Sequence, residues 1–269
     1  SRTYAREIQT PEFGRGLDGV LRHRAGDLVG ILNGIDLELW DPARDPLLPR
    51  RFGSKDVAEG KAACKAALRR ECGLADAGRA PLVAVVSRLD PQKGLDLVVE
   101  SLPRLIERGA QFAALGEGSP ELQDDFRRLA ARFPASVHLH SGFDEGFAHR
   151  VYAAADLFLM PSRFEPCGLG QMIAMRYGAL PLASKTGGLA DTVREDAGPG
   201  LPAPNGFVAA HATAEDLRAA LDRALGAYGD PEAWAGRVAA AMACDYSWDR
   251  SVDAYEELYR AVAGRAQRA

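Results

Sequence analysis

The chain has 269 residues, with 33 Lys and Arg against 37 Asp and Glu and a formal net charge of −4, and it carries no basic stripe of the kind that neutralises nucleic-acid phosphates. With 47% hydrophobic and 26% charged residues it can bury a core, far from the composition of disordered chains. No apolar run approaches the roughly 18 residues of a membrane span, and the opening SRTYAREIQT lacks a charged-then-apolar signal pattern, so neither nucleic acid nor membrane is expected as a partner.

The chain starts without Met, in polar sequence, which reads as a piece of something longer. Residues 1–27 are polar and turn-rich, and 28–32 fit one strand. Residues 41–49 hold Pro42, Pro46 and Pro49 and read as a linker or strap. An amphipathic helix is expected over 56–72, closed by Gly73. From Pro81 onward, apolar β-type runs at 82–87, 111–116, 136–141, 156–161 and 179–184 alternate with helical patterns such as 95–108 and 120–133. Strand–helix alternation with near-continuous apolar strands predicts an α/β domain, a doubly wound parallel sheet covered on both faces. The tail from Glu215 is helix-forming, with breaks expected at Gly226, around Gly229 to Pro231, and near Tyr246 to Trp248.

Ligands of such sheets bind beyond the carboxyl ends of the strands, so chemistry is sought in the loops. The first, Ser87-Arg88-Leu89-Asp90-Pro91-Gln92-Lys93-Gly94, sets a planar guanidinium and a mobile ammonium five residues apart at a helix start, a way to hold a diphosphate. In the second, 161–171, Glu165 precedes a turn through Cys167, Gly168, Leu169 and Gly170 that opens a helix. Such a turn frees N–H groups for an anion, while a carboxylate can accept from sugar hydroxyls. The third, 185–191, joins Thr186 to Gly187 and Gly188 at another helix start.

Other features carry less. Four cysteines (Cys64, Cys72, Cys167, Cys244) form no C-x-x-C pair, which points to a reducing cytoplasm rather than a disulfide scaffold. His138 and His140 alternate on one strand and so share a face, but no third ligand stands at sensible spacing and no metal is expected. His149 and Arg150, on the helix after the Phe143 loop, are expected at the surface, with support of the site from behind as the alternative. Trp248, Tyr255 and Tyr259 are expected to pack rather than to form a binding platform.

The strings SRLDPQKGLDLV, PSRFEPCGLGQMIAMRYG and TGGLADTV, with TYAREIQTPEFGRGLDGVL and ILNGIDLELWDP before them, resemble the bacterial glycogen synthases and plant starch synthases. The resemblance covers most of the chain. It implies the Rossmann-like C-terminal half of a two-domain retaining glycosyltransferase that moves glucose from ADP-glucose to the non-reducing end of an α-1,4-glucan, releasing ADP, with no separate cofactor. It also implies that Arg88 and Lys93 meet the donor phosphates, Glu165 the sugar, and the backbone of Leu169 and Gly170 the distal phosphate. Asn33 then lies at the interdomain hinge, and Phe143 where the family presents a tyrosine to the base.

Two departures matter: Gly170 replaces a common Thr, and Phe143 lacks a phenolic hydroxyl. Ile173, where many related glycosyltransferases carry a second Glu, agrees with this subfamily. On this reading residues 1–55 are strap and hinge from a missing N-terminal domain, 56–245 the nucleotide-sugar-binding domain, and 246–269 a helix crossing to the missing half. The competing readings are an isolated nucleotide- or glucan-binding module and another nucleotide-sugar enzyme on the same scaffold.

Overall fold

A computed structural model describes residues 1–196, 198, 200 and 202–266. Its helices, in chain order, are α1 (Arg2–Glu7), α2 (Asp18–His23), α3 (Val57–Glu71), α4 (Leu95–Glu107), α5 (Pro120–Arg132), α6 (Glu145–Ala154), α7 (Gly170–Arg176), α8 (Gly187–Thr192), α9 (Ala214–Tyr228), α10 (Pro231–Met242) and α11 (Trp248–Ala266). The apolar runs become strands β1 (Leu82–Val86), β2 (Gln111–Gly116), β3 (Val137–Ser141), β4 (Leu157–Met160) and β5 (Leu180–Ser184), joined by β6 (Phe207–Ala209).

Every pairing is parallel, and the order is β3-β2-β1-β4-β5-β6. This is a doubly wound, Rossmann-like sheet whose order reverses between β1 and β4. Side chains alternate across it. Val83 and Val85 join one core with Phe112, Phe126 and Leu217, while Leu82 and Ala84 join the other with Leu68, Phe147 and Tyr177. Both faces are buried, which is why the strands read as unbroken apolar runs rather than as alternating ones.

The 41–52 segment is anchored rather than loose. Phe52 enters the second core beside Gly60, where a Cβ would lie 2.2 Å from the Phe52 Cβ. Asp45 is 3% exposed; it accepts from the Tyr177 hydroxyl at 2.6 Å and lies 2.7 Å from His149 Nδ1, and Trp40 stacks on the imidazole at 4.1 Å. His149 is therefore in the interior, not at the surface as expected, because a buried carboxylate gives its ring a partner there. Arg150 remains partly exposed, in a two-pronged pair with Glu71.

Other expectations also yield. Residues 28–32 form no strand. The turn-rich opening instead contains α1 and α2, and α9 runs through Gly226 without a break. Trp248, Tyr255 and Tyr259, expected to pack, are 47%, 36% and 67% exposed. Residues 267–269 of the expected terminal helix lie outside the described residues. The segments around Ile35 and Ser247 meet: the Ile35 N–H donates to the Tyr246 carbonyl at 2.8 Å, and Ile35 bridges Ser247. No helix among the described residues is long and apolar enough to cross a membrane.

Lys61, on α3, is buried and donates to the carbonyls of Tyr177 at 2.9 Å, Ala153 at 3.1 Å and Tyr152 at 3.4 Å. It ties the ends of α6 and α7 to α3. Burial pushes its ammonium down to about 7, against the opposing pull of Asp156. The unfolded chain then holds a proton that the folded chain has released, so stability rises with pH above about 7. Burial moves Cys64, Cys72 and Cys167 the other way, up from 9.0. Above that value the unfolded thiols ionise first and stability falls. Urea denaturation in pH steps should therefore show a maximum near pH 9, with a limb below it of at most about 1.4 kcal/mol per unit. Lys61→Met should flatten that limb, and a flat profile in the unsubstituted chain would contradict the assignment.

Candidate functional site

The loops that leave β1 and β4 lie side by side because the sheet reverses its order there. In the first loop, Asp90 caps a single 3₁₀ turn by accepting from the Gln92 N–H at 2.8 Å. Gly94 then takes φ +66, and a Cβ on it would stand 2.0 Å from the Pro161 carbonyl. Glycine is required on both counts. The two loops are stitched by Arg163 N–H to Gln92 O at 2.8 Å and by Gln92 Nε2 to Phe164 O at 3.1 Å. Arg163 adds a two-pronged pair with Asp96, which holds that carboxyl below its usual range.

This stitching brings Lys93 Nζ to 2.5 Å from Glu165 Oε2. Ser162 donates to the same oxygen at 3.1 Å. Arg88 stands apart at the rim, its side chain 68% exposed, 3.6 Å from Asp90 and 3.4 Å from Gln92 Oε1. The cleft thus has a buried carboxylate at its base, an ammonium upon it and, at the rim, an exposed guanidinium held by Asp90 and Gln92.

The second loop turns at Gly168, φ +72, and Leu169 precedes Gly170 at the start of α7. The fully buried Gln171 locks that turn, donating to the Cys167 and Gly168 carbonyls and to Thr192 Oγ1. The third loop wedges beneath the second. Cβ atoms on Gly187 and Gly188 would lie 1.9 Å from the carbonyl oxygens of Glu165 and Cys167 respectively, and the Gly188 N–H donates to Glu165 O at 2.9 Å. Thr186 is buried against this contact. Asn33 joins the group through its backbone, donating to Cys167 Sγ at 3.4 Å. Burial raises the Cys167 thiol, which favours its protonated form.

Of the residues singled out in the sequence, Lys93, Glu165, Cys167, Gly187, Gly188 and Asn33 thus form one connected set. Phe143 does not belong to it. It stands 88% exposed on the loop after β3, two strands away from β1. His138 and His140 do share a face, with ring centroids 6.4 Å apart. No group of three metal-ligating side chains occurs among the described residues. A cavity of about 380 Å³ lined by Lys185, Leu189, Val193, Arg194 and Val208 lies at the ends of β5 and β6, outside the β1–β4 cleft.

Residues 80–227 match the family described as glycosyl transferases group 1. The chain belongs to that family. It is 53% identical to the glycogen synthase of an Anaeromyxobacter species, over 98% of this chain and 55% of the relative, and 48% identical to that of Paramagnetospirillum magneticum, over 98% and 54%. The catalytic domain of starch synthase IV from Arabidopsis thaliana, solved bound to ADP and acarbose, superposes with a TM-score of 0.90 at 44% identity, over 97% of this chain and 54% of that one. The chain spans about half the length of the curated relatives it matches.

Within this glycosyl transferase fold, several site-building residues escaped the sequence reading. Gln92 and Gln171 act through their carboxamides on backbone groups, and nothing in the sequence marks which carbonyls those are. Arg15 is held at φ +52 with its guanidinium 5.2 Å from the Phe164 ring centre. Glu7 accepts from Gly187 N–H at 2.9 Å and Thr186 Oγ1 at 3.1 Å. Both come from the opening segment, whose polar composition reads as turn and solvent.

Proposed function

We propose that this chain is the donor-binding half of a glycogen synthase, which transfers glucose from ADP-glucose to the non-reducing end of an α-1,4-glucan with retention of configuration. The observation that carries the reading is the Lys93–Glu165 pair at the β1–β4 switch, in a chain 53% identical to a glycogen synthase over 98% of its length. An ammonium has three donors, so Lys93 can keep Glu165 and still reach a phosphate oxygen. Arg88, exposed at the rim, meets the diphosphate as a planar fork. Together they neutralise the charge that grows on the leaving ADP, an effect commonly worth a few kcal/mol per well-placed donor. The N–H groups of Leu169 and Gly170, where α7 starts, receive the distal phosphate.

Glu165 accepts from hydroxyls of the transferred sugar and holds it over the leaving bond. Phe143 stacks on the base, and Asn33 marks the hinge toward an N-terminal domain that supplies the acceptor side. With Arg88 and Lys93 in these roles the reading calls on no further cofactor, and it places the parent enzyme in the cytoplasm.

Nucleotide titration by thermal denaturation tests this. ADP should raise the melting temperature of the chain more than UDP does, and Arg88→Ala and Lys93→Ala should each remove the ADP shift. An unchanged shift in both variants would displace the site, and an equal response to UDP would favour a different nucleotide-sugar enzyme. The 269-residue chain alone should elongate no glucan.

A further inference from the structure

Glu165 is held from below as well as from the side. Its side chain meets Lys93 and Ser162, but its main chain rests on the third loop, through the Gly188 N–H donated to its carbonyl and the close approach at Gly187. That loop is itself gripped by α1. Glu7 Oε1 accepts from Thr186 and Gly187, while Ser1 Oγ, Thr3 Oγ1 and the Thr3 N–H all donate to the Asp191 carboxylate at 2.7, 2.6 and 3.1 Å. Burial would raise the Asp191 carboxyl, but these donors outweigh it and hold it below its ordinary value.

Glu7 Oε2, in contrast, is buried without a partner among the described residues. A partly buried carboxylate with one oxygen shielded from water and unsatisfied is a poor device for stability alone. We infer that Glu7 is a positioning residue for the sugar-binding carboxylate: it fixes Thr186 and Gly187, and through them the backbone that aims Glu165.

The inference rests on the donor-binding reading above and makes a distinct demand. Arg88 belongs to the first loop, while Glu7 grips the third, whose contacts run to Glu165 and Cys167. Loss of Glu7 should therefore weaken binding of the sugar more than binding of the diphosphate.

The test is calorimetric titration of the whole chain with ADP and with ADP-glucose, for the unsubstituted protein, Glu7→Ala, Glu7→Gln and Thr186→Val. Glu7→Ala should weaken ADP-glucose relative to ADP by about tenfold, or 1.4 kcal/mol. Glu7→Gln, which keeps an acceptor oxygen, should restore the ratio. Thr186→Val removes one donor to Glu7 and keeps the branched shape of the side chain; it should move the ratio in the same direction and carries the test should Glu7→Ala fail to fold. If Glu7→Ala and Thr186→Val weaken both ligands equally, or leave both unchanged, Glu7 is a structural clasp and the inference falls. Binding of neither nucleotide by the unsubstituted chain overturns the donor-binding reading and this inference with it, an outcome distinct from the other two.

Discussion

Lys93→Ala should destabilise the chain by about 3 kcal/mol in urea denaturation, an unusually large cost for a residue in a loop. The pair it breaks is shielded, with side chains 20% and 7% exposed. Removing the ammonium leaves the Glu165 carboxylate in the interior with the Ser162 hydroxyl as its other partner, and an uncompensated buried charge costs more than the pair contributed. Glu165→Gln should cost less, about 1 kcal/mol, because the freed Lys93 can turn toward water. The double variant should then be more stable than Lys93→Ala alone. Equal costs for the two single variants would show that the pair is effectively solvated, and the cleft would lose its buried anchor.

Gly188→Ala should have the second large effect. The added methyl would meet the Cys167 carbonyl oxygen at 1.9 Å and its Cα at 2.5 Å, all of it backbone that cannot rotate away. The second and third loops would have to part, at a cost of about 3 kcal/mol or more, and the ADP-induced rise in melting temperature should vanish because the displaced Cys167 backbone leads into Leu169 and Gly170, the proposed seat of the distal phosphate. Gly226→Ala makes the same chemical change with nothing within 4 Å, inside α9. It should stabilise by about 0.5–1 kcal/mol through helix propensity. Destabilisation by both, or by neither, would show that the loop contact at Gly188 is not what sets the cost.

The strands and central helices were legible because their signal is local. The runs expected at 111–116 and 82–87 become Gln111–Gly116 and Leu82–Val86, and the helix expected over 56–72 is Val57–Glu71. β6 escaped because three residues, Phe207–Ala209, carry no period. Gly226 misled because a glycine inside a helix costs less than the Ala, Leu, Arg and Glu residues around it in α9 supply. The loops themselves were also readable, since the sheet order fixes which of them open the cleft.

The contacts between them were not. Lys93 and Glu165 are separated by 72 positions, His149 and Asp45 by 104, and Glu7 and Gly187 by 180. Spacing along a chain says nothing about such pairs until the fold has closed. The exposure of Trp248, Tyr255 and Tyr259 was misjudged for a related reason, since apolar periodicity predicts a face without saying what covers it.

The single bridge between Ile35 and Ser247 gives the domain a topological property. Gly34 approaches so closely that a Cβ would sit 2.4 Å from the Trp248 nitrogen, so the points where the backbone comes in and goes out are one hydrogen bond apart. Everything between them is a closed loop of chain whose base can be sealed or opened by a short linker. Such a module can be circularly permuted, or transplanted into a host turn of similar width, without stretching any strand of its sheet. Residues 1–34 lie outside that closed loop yet hold its third loop through Glu7, Ser1 and Thr3, so a permutant must keep them attached to preserve the cleft.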